Sequence, residues 1–561
     1  MSVASNSTIP PIASRRPRRS LLIAGGIAAS FTALAIYLQL DATAIGETIP
    51  FFDGAVINVG TVFSCGIAAF SLYVWFCWFS GFSFQARRIG FIIPLLLPII
   101  GVATFRYEGV DGYMKPTFVP RWRRAHEAAL AGKPVAAKAP QPAGAEKEGT
   151  AAAVPAVPTV DLRTETANDF PQFLGPQRTN YLPDAKLADD WNDSPPKEIW
   201  RRDIGPGWSG FACRNGFAVT LEQRGSDEWV TCYSLADGEL MWHHSAPGRH
   251  EETIGGLGPR STPVIDGGLV FAQGATGLVR CIDGATGKLV WQDDLLERYG
   301  LSQSLSEAAV KWGRAGSPLI VGDLLIVPAG GKGSNVRTLI AYHKRTGEVA
   351  WEAGNDQVSY ASPVLATLGG EEQILYVSEK KVAGYDVTSG KELWQHDWPS
   401  HSNVDANCSQ SIRLPGDRVL VSKSYGTGGA LLQIKCEEGS CSAEPIWESR
   451  RVLKTKFTNA VVIDGFAYAL SDGILECVDL ETGKQKWRGG RYGHGQMLGA
   501  GDKLLVLGED GELMLVAADP KKFRELGKIE ALPGITWNNL CLAGNRLLIR
   551  NGKQVACYDV P

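Results

Sequence analysis

Residues 279–291 read VRCIDGATGKLVW and residues 475–487 read LECVDLETGKQKW, so one phrase occurs twice with its Asp, Thr-Gly-Lys and Trp in register. The same spacing of eight residues leads to a tryptophan in five places, which are Ser234/Trp242, Asp283/Trp291, His343/Trp351, Asp386/Trp394 and Asp479/Trp487. Within residues 262–293, four short apolar stretches are separated by glycine-containing turns. Repeated groups of four short strands are typical of the blades of a β-propeller.

Two further units keep the repeat but vary the phrase. Residues 431–447 carry a longer turn before Trp447. Residues 513–527 have lost both Thr-Gly and Trp, so that Phe523 or Leu526 takes the place of the tryptophan, and the sequence leaves this choice open.

The last unit is incomplete. It reads QVACYDVP at 554–561 and contains no tryptophan. Trp200, in EIWRRD at 198–203, precedes the first blade and has no third strand of its own. The strand around Trp200 is therefore predicted to complete the last blade, which closes a ring of eight blades and removes an exposed sheet edge.

Tryptophans recur at the end of these units. Each can bury roughly 200 Å² between neighbouring blades, and the glycine of the Thr-Gly turn tolerates positive φ. Because repeat-equivalent positions usually serve the common fold, we predict a structural docking role for Trp200, Trp242, Trp291, Trp351, Trp394, Trp447 and Trp487.

Three apolar stretches near the N-terminus favour membrane helices, at residues 21–40, about 55–82 and 89–105. Residues 1–20 carry four arginines, residues 41–53 carry no Lys or Arg, and Arg87 and Arg88 precede the third stretch. By the positive-inside rule, residues 1–20 are a cytoplasmic tail and the chain after residue 105 is extracytoplasmic. The predicted location is the inner membrane, multi-pass, with the propeller on the periplasmic side.

Two features complicate this orientation. A basic cluster follows the third stretch on the predicted external side, at Arg106, Lys115, Arg121, Arg123 and Arg124. In addition, RRSLL at 18–22 with DATA at 41–44 resembles a twin-arginine signal and its cleavage site, and cleavage would leave two spans with the same external location. Three permanent helices remain the prediction, with an anchor at 21–105.

Composition divides the rest of the chain. Residues 128–160 are mostly Ala, Pro, Lys and Glu without an aromatic residue, which predicts a tether between a juxtamembrane segment at 106–127 and a propeller at 161–561. The formal charge of −3 and the 64 glycines indicate a turn-rich β body and argue against nucleic-acid binding.

The repeated phrase and the blade count resemble the PQQ-like β-propeller superfamily, named after pyrroloquinoline quinone. Four stretches look typical of its BamB-like bacterial members: GPRSTPV at 258–264, WGRAGSPL at 312–319, KFTNAV at 456–461 and GRYGHGQ at 490–496. The resemblance implies an all-β, eight-bladed PQQ-like propeller, here with N-terminal transmembrane helices. It also implies a non-catalytic scaffold that binds protein or peptide partners.

The superfamily also contains quinoprotein dehydrogenases, which are the alternative. Membrane-bound glucose dehydrogenase likewise sets helices before a propeller, and it needs the quinone with Ca or Mg, a general base and long loops over one face. Most blades here have short turns, and the chain contains neither C-x-x-C-H nor adjacent cysteines. No catalytic residue and no cofactor are predicted. A saccharide or small-molecule receptor is the second alternative.

Cysteines fall into two groups. Cys232, Cys281, Cys477 and Cys557 share one third-strand position, where a small buried side chain is expected. Cys436 and Cys441 flank EEGS in a hairpin turn, close enough for a disulfide in an oxidising compartment. No ligand spacing indicates a metal site.

Residues at the entrances of the inner strands converge on the channel of a propeller. Those that differ from blade to blade are the candidate ligand-binding residues at the channel mouth, with solvated channel lining as the alternative. They are Arg260, Arg314, Tyr360, Asn459, His494 and Trp537.

Overall fold

The computed structural model describes residues 16–40, 54–123, 126–131, 159–330, 336–400, 406–437 and 440–561. It divides into two compact units, Met1–Arg123 and Arg124–Pro561. Most of the predicted tail and tether and the whole predicted cleavage site lie outside the described residues.

The first unit contains three long apolar helices, α1 (Arg16–Leu40), α2 (Gly54–Val74, extended by a π-helix at Trp75–Phe79) and α3 (Phe84–Thr104). By length and composition, each is suited to cross a membrane. A two-stranded hairpin, Phe105–Val110 with Pro116–Pro120, follows α3 directly. We call it the juxtamembrane hairpin.

The second unit begins with the short helix α4 (His126–Ala131) and contains an eight-bladed propeller, as predicted. The strands of blades 1 to 4 are Ala212–Arg214, Phe217–Arg224, Asp227–Ser234, Leu240–Pro247; Val264–Asp266, Leu269–Gln273, Leu278–Asp283, Leu289–Asp294; Leu319–Val321, Leu324–Pro328, Leu339–His343, Val349–Ala353; and Val364–Leu368, Glu371–Val377, Lys381–Asp386, Glu392–Asp397. Helices α5 (Leu295–Tyr299) and α6 (Gln303–Ala309) connect blades 2 and 3.

The strands of blades 5 to 8 are Ile412–Leu414, Arg418–Lys423, Gly428–Glu437, Ser440–Ser449; Val461–Ile463, Phe466–Ser471, Ile474–Asp479, Lys484–Arg491; Gln496–Ala500, Lys503–Leu507, Glu512–Ala517, Glu525–Glu530; and Cys541–Ala543, Arg546–Arg550, Gln554–Asp559, Lys197–Asp203. A small hairpin, Glu251–Glu252 with Gly256–Leu257, lies between blades 1 and 2. Every blade is an antiparallel sheet, and blade 7 gains a parallel fifth strand, Tyr181–Leu182.

Blade 8 joins two distant parts of the chain. The strand Gln554–Asp559 pairs with Lys197–Asp203, and Cys557 lies opposite Trp200. The Trp200 indole N–H donates to the Leu235 carbonyl of blade 1 at 2.9 Å. The ring is therefore closed by hydrogen bonds and by one docked tryptophan.

The same contact recurs around the ring. Six indole N–H groups donate over 2.6–2.9 Å to a main-chain oxygen in the next blade's turn between strands 3 and 4: Trp200, Trp242, Trp291, Trp351, Trp447 and Trp487. Gly287 shows why these turns need glycine. Its φ is 72°, and a Cβ there would lie 2.9 Å from the Trp242 ring.

Trp394 departs from this pattern. Its indole N–H donates at 2.7 Å to Gln373 of its own blade. The next blade lacks a Thr-Gly turn at this point and instead has a long hairpin, in which Cys436 and Cys441 form a disulfide. Cys436 lies against Gly369 of blade 4. The disulfide hairpin thus takes the position that the Thr-Gly turn has in other blades.

In blade 7, neither Phe523 nor Leu526 lies at the docking position. Gly527 lies opposite Leu515, at the docking position. A Cβ on Gly527 would lie 2.7 Å from Trp191, which is 2% exposed. Trp191, from the segment before the first blade, therefore lies against this position, but its indole N–H has no hydrogen-bond partner among the described residues. Phe523 packs on Trp487 instead, with ring centroids 5.7 Å apart.

Residues 169–182 run along the inner strands of several blades. Arg178 is buried and donates to the Ser317 and Pro318 carbonyls of blade 3 at 3.1 and 2.7 Å. The further main-chain or side-chain contacts join Phe170 to Cys213, Pro171 to Ile265, Gln410 to Arg178, and Tyr181–Leu182 to blade 7. We call this segment the channel strap.

Candidate functional site

One residue from each blade marks the entrance of the inner strands. In blade 2, Val264 pairs with Phe271, which pairs with Cys281 opposite Trp291, and Arg260 lies four positions before Val264. The equivalent register in all eight blades gives a set that we call the mouth ring: Trp208, Arg260, Ala315, Tyr360, Cys408, Phe457, His494 and Trp537.

The mouth ring and the channel strap lie at different depths. Val264 and its equivalents in the other blades, four residues after the mouth ring, serve as the reference positions. The strap contacts each inner strand within two positions of this reference, as Arg178 does at Ser317 and Tyr181 does at Gly499. The mouth-ring residues lie two to six positions before these strap contacts along the chain.

Aromatic side chains of four blades form a continuous contact along one side of the ring. The centroids of Trp208 and Trp537 lie 4.8 Å apart, those of Trp537 and Phe457 5.1 Å, and those of Phe457 and His494 5.8 Å. Trp208, Phe457 and Trp537 are half-buried. They present an apolar surface that is held rigid by ring packing.

Glu509 fixes two of these aromatic residues. One carboxylate oxygen accepts the Trp537 indole N–H at 2.8 Å, and the other accepts the His494 backbone N–H at 3.2 Å. Glu509 itself is 7% exposed. The carboxylate is thus engaged in positioning the ring.

The other side of the ring is cationic and aromatic. The Arg260 guanidinium donates to the Gly255 and Gly258 carbonyls at 2.6 and 2.8 Å, and the Trp208 indole N–H shares the Gly255 carbonyl at 2.7 Å. Tyr360 packs on Trp312, with centroids 5.3 Å apart. The small hairpin before blade 2 therefore orients both the Arg260 guanidinium and the Trp208 ring.

The ring residues keep fixed protonation states at neutral pH. Burial lowers the pKa of Arg260 to about 10, so that it remains charged. Burial and the nearby Lys456 lower the pKa of His494 to about 3, and it stays neutral. Burial raises the pKa of Cys408 to about 12, although Lys423, Arg260 and Lys456 oppose this rise. None of these three groups titrates near pH 7.

Lys456 adds a second cation beside the aromatic side. It is 7% exposed, and its ammonium lies 5.7 Å from the Tyr425 ring centroid and 5.9 Å from that of Phe457. Such cation–π geometry stabilises the charge where water is scarce. The mouth therefore combines aromatic faces with positive charge.

Four of the six predicted site residues belong to the mouth ring: Arg260, Tyr360, His494 and Trp537. Arg314 and Asn459 do not. Arg314 is 2% exposed and donates to the Gly330 carbonyl at 3.0 Å. Asn459 is 3% exposed, and its side-chain oxygen accepts the Gln410 backbone N–H at 2.9 Å. Both hold neighbouring segments together within the wall.

Five residues at the mouth were not predicted: Trp208, Trp312, Cys408, Lys456 and Phe457. Three of them could have been predicted from spacing. Trp208, Cys408 and Phe457 each lie four residues before the first-strand residue that is in register with the docking position. The same spacing, applied in every blade, points to these three residues. Residue type alone pointed to Arg314 and Asn459 instead.

Two features of the ring bear on whether pyrroloquinoline quinone could bind there. Trp208 and Trp537 pack directly on each other at 45°, so these two rings leave no slot for a planar group between them. The Arg260 guanidinium is already held by backbone carbonyls. Among the described residues, no three His, Cys, Asp or Glu side chains are grouped so that they could hold a metal ion.

Glu476 is a buried carboxyl of blade 6 that lies outside the ring. Its side chain accepts the Leu453 N–H at 2.6 Å, and burial raises its pKa to about 7. The folded chain therefore holds a proton that the unfolded chain releases near its ordinary pKa of about 4.3. The stability from this group is complete below that pH and is lost as the pH rises through about 7.

We expect Glu476→Gln to remove this pH dependence, which amounts to about 3 kcal/mol. Thermal melts at about pH 5 and about pH 8 measure it, and the variant should lose less Tm between them than the wild type. The exposed Glu481→Gln is the control and should behave as the wild type. An unchanged slope in Glu476→Gln would contradict the assignment.

Comparison with known proteins identifies the kind of propeller. The family model described as outer membrane protein assembly factor BamB matches residues 226–489. The second unit is a PQQ-like, BamB-like β-propeller. Outer membrane protein assembly factor BamB of Yersinia pestis is 25% identical over 239 residues. The match covers 40% of this chain and only 55% of that relative.

Solved structures resemble the BamB-like propeller as well. BamB from Moraxella catarrhalis has a TM-score of 0.47 at 15% identity, over 65% of this chain and 99% of that one. A quinohemoprotein alcohol dehydrogenase from Pseudomonas putida HK5 has a TM-score of 0.50 at 12% identity, over 72% and 83%. At such low identity, the dehydrogenase shows the fold alone, and the likeness to the Moraxella catarrhalis structure adds nothing beyond it.

Proposed function

We propose that the propeller is a non-catalytic scaffold that binds a protein or peptide partner at the mouth ring. The observation that carries this proposal is the contact chain of Trp208, Trp537 and Phe457 beside the cations Arg260 and Lys456. Rigid tryptophans and arginines dominate binding energy in protein interfaces. By likeness to an outer membrane protein assembly factor, we propose envelope or membrane proteins as the partners.

The protonation states support binding over catalysis. General acid–base catalysis works best with a group whose pKa lies near the operating pH. Arg260, Cys408 and His494 have pKa values of about 10, 12 and 3. Glu509 is held by two donors. A quinone-dependent dehydrogenase is the alternative proposal and rests on the shared fold, and a saccharide or small-molecule receptor is the second alternative.

We further propose that the chain is a multi-pass inner-membrane protein with its propeller on the periplasmic side. The helices α1, α2 and α3 support membrane anchoring by length and composition. The Cys436–Cys441 disulfide supports an oxidising compartment.

We expect Cys436 and Cys441 to be joined in the protein taken directly from cells. Free thiols are blocked with an alkylating agent in denaturant, and the peptides are then identified by mass spectrometry. The buried Cys232 and Cys281 are the internal controls and should be alkylated. If Cys436 and Cys441 are alkylated as well, the propeller faces a reducing compartment and the proposed orientation is wrong.

Replacing mouth-ring residues is expected to abolish partner binding. The full chain is purified from solubilised, cross-linked membranes, and co-purified proteins are quantified. Trp208→Ala with Arg260→Gln should reduce the bound partner at least about tenfold, since loss of a hot-spot residue costs about 2 kcal/mol or more. Leu289→Ala, an exposed position on the outer strand of blade 2, is the matched control and should bind normally.

A binding assay with the quinone distinguishes the scaffold from the enzyme alternative. Pyrroloquinoline quinone with calcium or magnesium is added to the purified protein, because a ligand at a hundredfold excess over Kd stabilises the fold by about 2.7 kcal/mol. The scaffold proposal expects no thermal shift and no dye reduction with sugars or alcohols. A saturable thermal shift that is abolished by Trp208→Ala with Arg260→Gln would contradict the scaffold proposal and favour the dehydrogenase.

A further inference from the structure

The juxtamembrane hairpin has one exposed aromatic face. Tyr107 lies opposite Phe118, with ring centroids 6.1 Å apart. Phe105, Tyr107 and Phe118 are 42%, 41% and 58% exposed, and the adjoining Trp122 is 73% exposed. The alternation of side chains along the strands places Arg106, Thr117 and Val119 on the opposite face. A clustered apolar surface of this kind marks an interaction site.

The hairpin is fixed across the ends of two apolar helices. At its base, Arg121 donates from its backbone to the Thr104 carbonyl at 2.9 Å and from its side chain to the Val102 carbonyl at 2.7 Å, in the last turn of α3. At its tip, the Tyr113 carbonyl accepts from the side chain of Asn58, the fifth residue of α2, at 3.0 Å. Gly54, the first residue of α2, lies against the Tyr113 ring.

These anchor points define the direction of the hairpin. The connection between the end of α2 and the start of α3 is short, so the end of α3 and the start of α2 lie on the same side when both helices span a bilayer. A hairpin attached to both points runs along that surface of the membrane. Its aromatic face is then at headgroup depth, where Trp and Tyr are enriched.

Charge selects the kind of lipid. Between residues 105 and 123 the chain carries four basic and two acidic residues, a net charge of +2. Lys115 and Arg123 are exposed. Basic residues close to a membrane surface are attracted to anionic lipids. Phosphate-bearing anionic headgroups therefore match the hairpin and its flank.

We propose that the juxtamembrane hairpin is a membrane-interface element that binds anionic phospholipids on the side of the membrane where α3 ends. Phe105, Tyr107 and Phe118 lie among the headgroups and upper acyl chains, and Lys115 and Arg123 contact the headgroup phosphates. The proposal rests on the membrane anchoring proposed above. It assigns a lipid-binding role to basic residues that otherwise count against the external orientation.

The full chain tests this proposal with p-benzoylphenylalanine in place of Phe118, which forms a covalent adduct with the nearest C–H bond on irradiation. The protein is reconstituted in vesicles of phosphatidylcholine with or without phosphatidylglycerol, floated on a gradient, irradiated and analysed by mass spectrometry. We expect phospholipid adducts at position 118, at least about fivefold more than with the same group at Thr117 on the opposite face. Position 107 is a second site on the aromatic face and should give the same result.

The headgroup contribution is tested separately. In vesicles with phosphatidylglycerol, Lys115→Gln with Arg123→Gln should lower the yield of phosphatidylglycerol adducts several-fold and leave phosphatidylcholine adducts unchanged. Equal yields at 118 and 117, or no adduct in a chain that floats with the vesicles, would overturn the hairpin proposal alone. Adducts that show no preference for phosphatidylglycerol would overturn the anionic specificity. A chain that does not float would overturn the membrane anchoring as well.

Discussion

A propeller that starts at residue 206 is expected to lose cooperative folding. The deletion removes the strand Lys197–Asp203 of blade 8, the docking residue Trp200, the buried Trp191 and the channel strap. Blade 8 would then expose a strand edge, and blade 1 would lose the tryptophan that packs on its Gly238 turn. Thermal unfolding followed by circular dichroism measures the loss.

Three controls distinguish the loss of ring closure at blade 8 from a general effect of shortening the chain. A chain that starts at residue 159 keeps all these elements and should melt cooperatively. A peptide of residues 161–205, added to the shortened chain, should restore the transition. Trp200→Ala in the chain from 159 should cost about 3–5 kcal/mol, the usual range for an emptied aromatic site. If the chain from 206 melts as the chain from 159 does, the closure by this strand is wrong.

The second large effect is expected at Glu222, a fully buried carboxylate at the seam between blades 1 and 8. It accepts from Arg224 at 2.7 Å, from the Tyr233 hydroxyl at 2.6 Å and from the Gly205 N–H. Arg550 of blade 8 donates to the Gly205 carbonyl at 2.9 Å beside it. Glu222→Ala would leave these donors buried without their acceptor, which costs about 3–5 kcal/mol. Urea unfolding at neutral pH measures this loss.

Glu222 also has a definite pH signature. Although burial alone would raise its pKa, Arg224, Tyr233 and Arg550 hold the pKa below its ordinary value. A lowered folded-state pKa contributes stability that is present above the unfolded value and is lost as the pH falls through the folded one. The difference in unfolding free energy between the wild type and Glu222→Gln should therefore narrow in acid.

Glu228 provides a matched contrast in the same blade. It is 2% exposed, but its nearest guanidinium atom, on Arg280, is 3.9 Å away, and burial raises its pKa. Its charged form is poorly compensated, so Glu228→Gln should be close to neutral at pH 7 or stabilising. Equal losses of unfolding free energy in Glu222→Gln and Glu228→Gln would show that the distance to the paired guanidinium does not decide the cost.

The propeller itself could be predicted because its signals are local and repeated. The offset of eight residues from Asp283 to Trp291 reflects one hairpin, and the same hairpin recurs around the ring. The small residues Cys232, Cys281, Cys477 and Cys557 each lie opposite a docking tryptophan, although Leu431 holds the same place opposite Trp447. Strand pairing of this kind depends on few residues, close together in the chain.

The candidate site was predicted only in part. Arg260, Tyr360, His494 and Trp537 reach the mouth ring, whereas Arg314 is used to hold α6 and the turn after Leu324–Pro328. The type of a polar residue does not show whether its side chain points into the channel or into the wall. That depends on register, which the strand pairing fixes.

The sequence by itself determined the repeat, the blade count and the chemical character of the anchor, because periodicity and hydropathy are properties of neighbouring residues. Tertiary structure alone decided that Trp191 lies against blade 7, that Trp394 turns to Gln373, and that the channel strap places Arg178 against blade 3. These contacts join segments up to several hundred residues apart and follow no repeat. Their selection depends on which buried space and which unpaired carbonyl remain once the blades have formed.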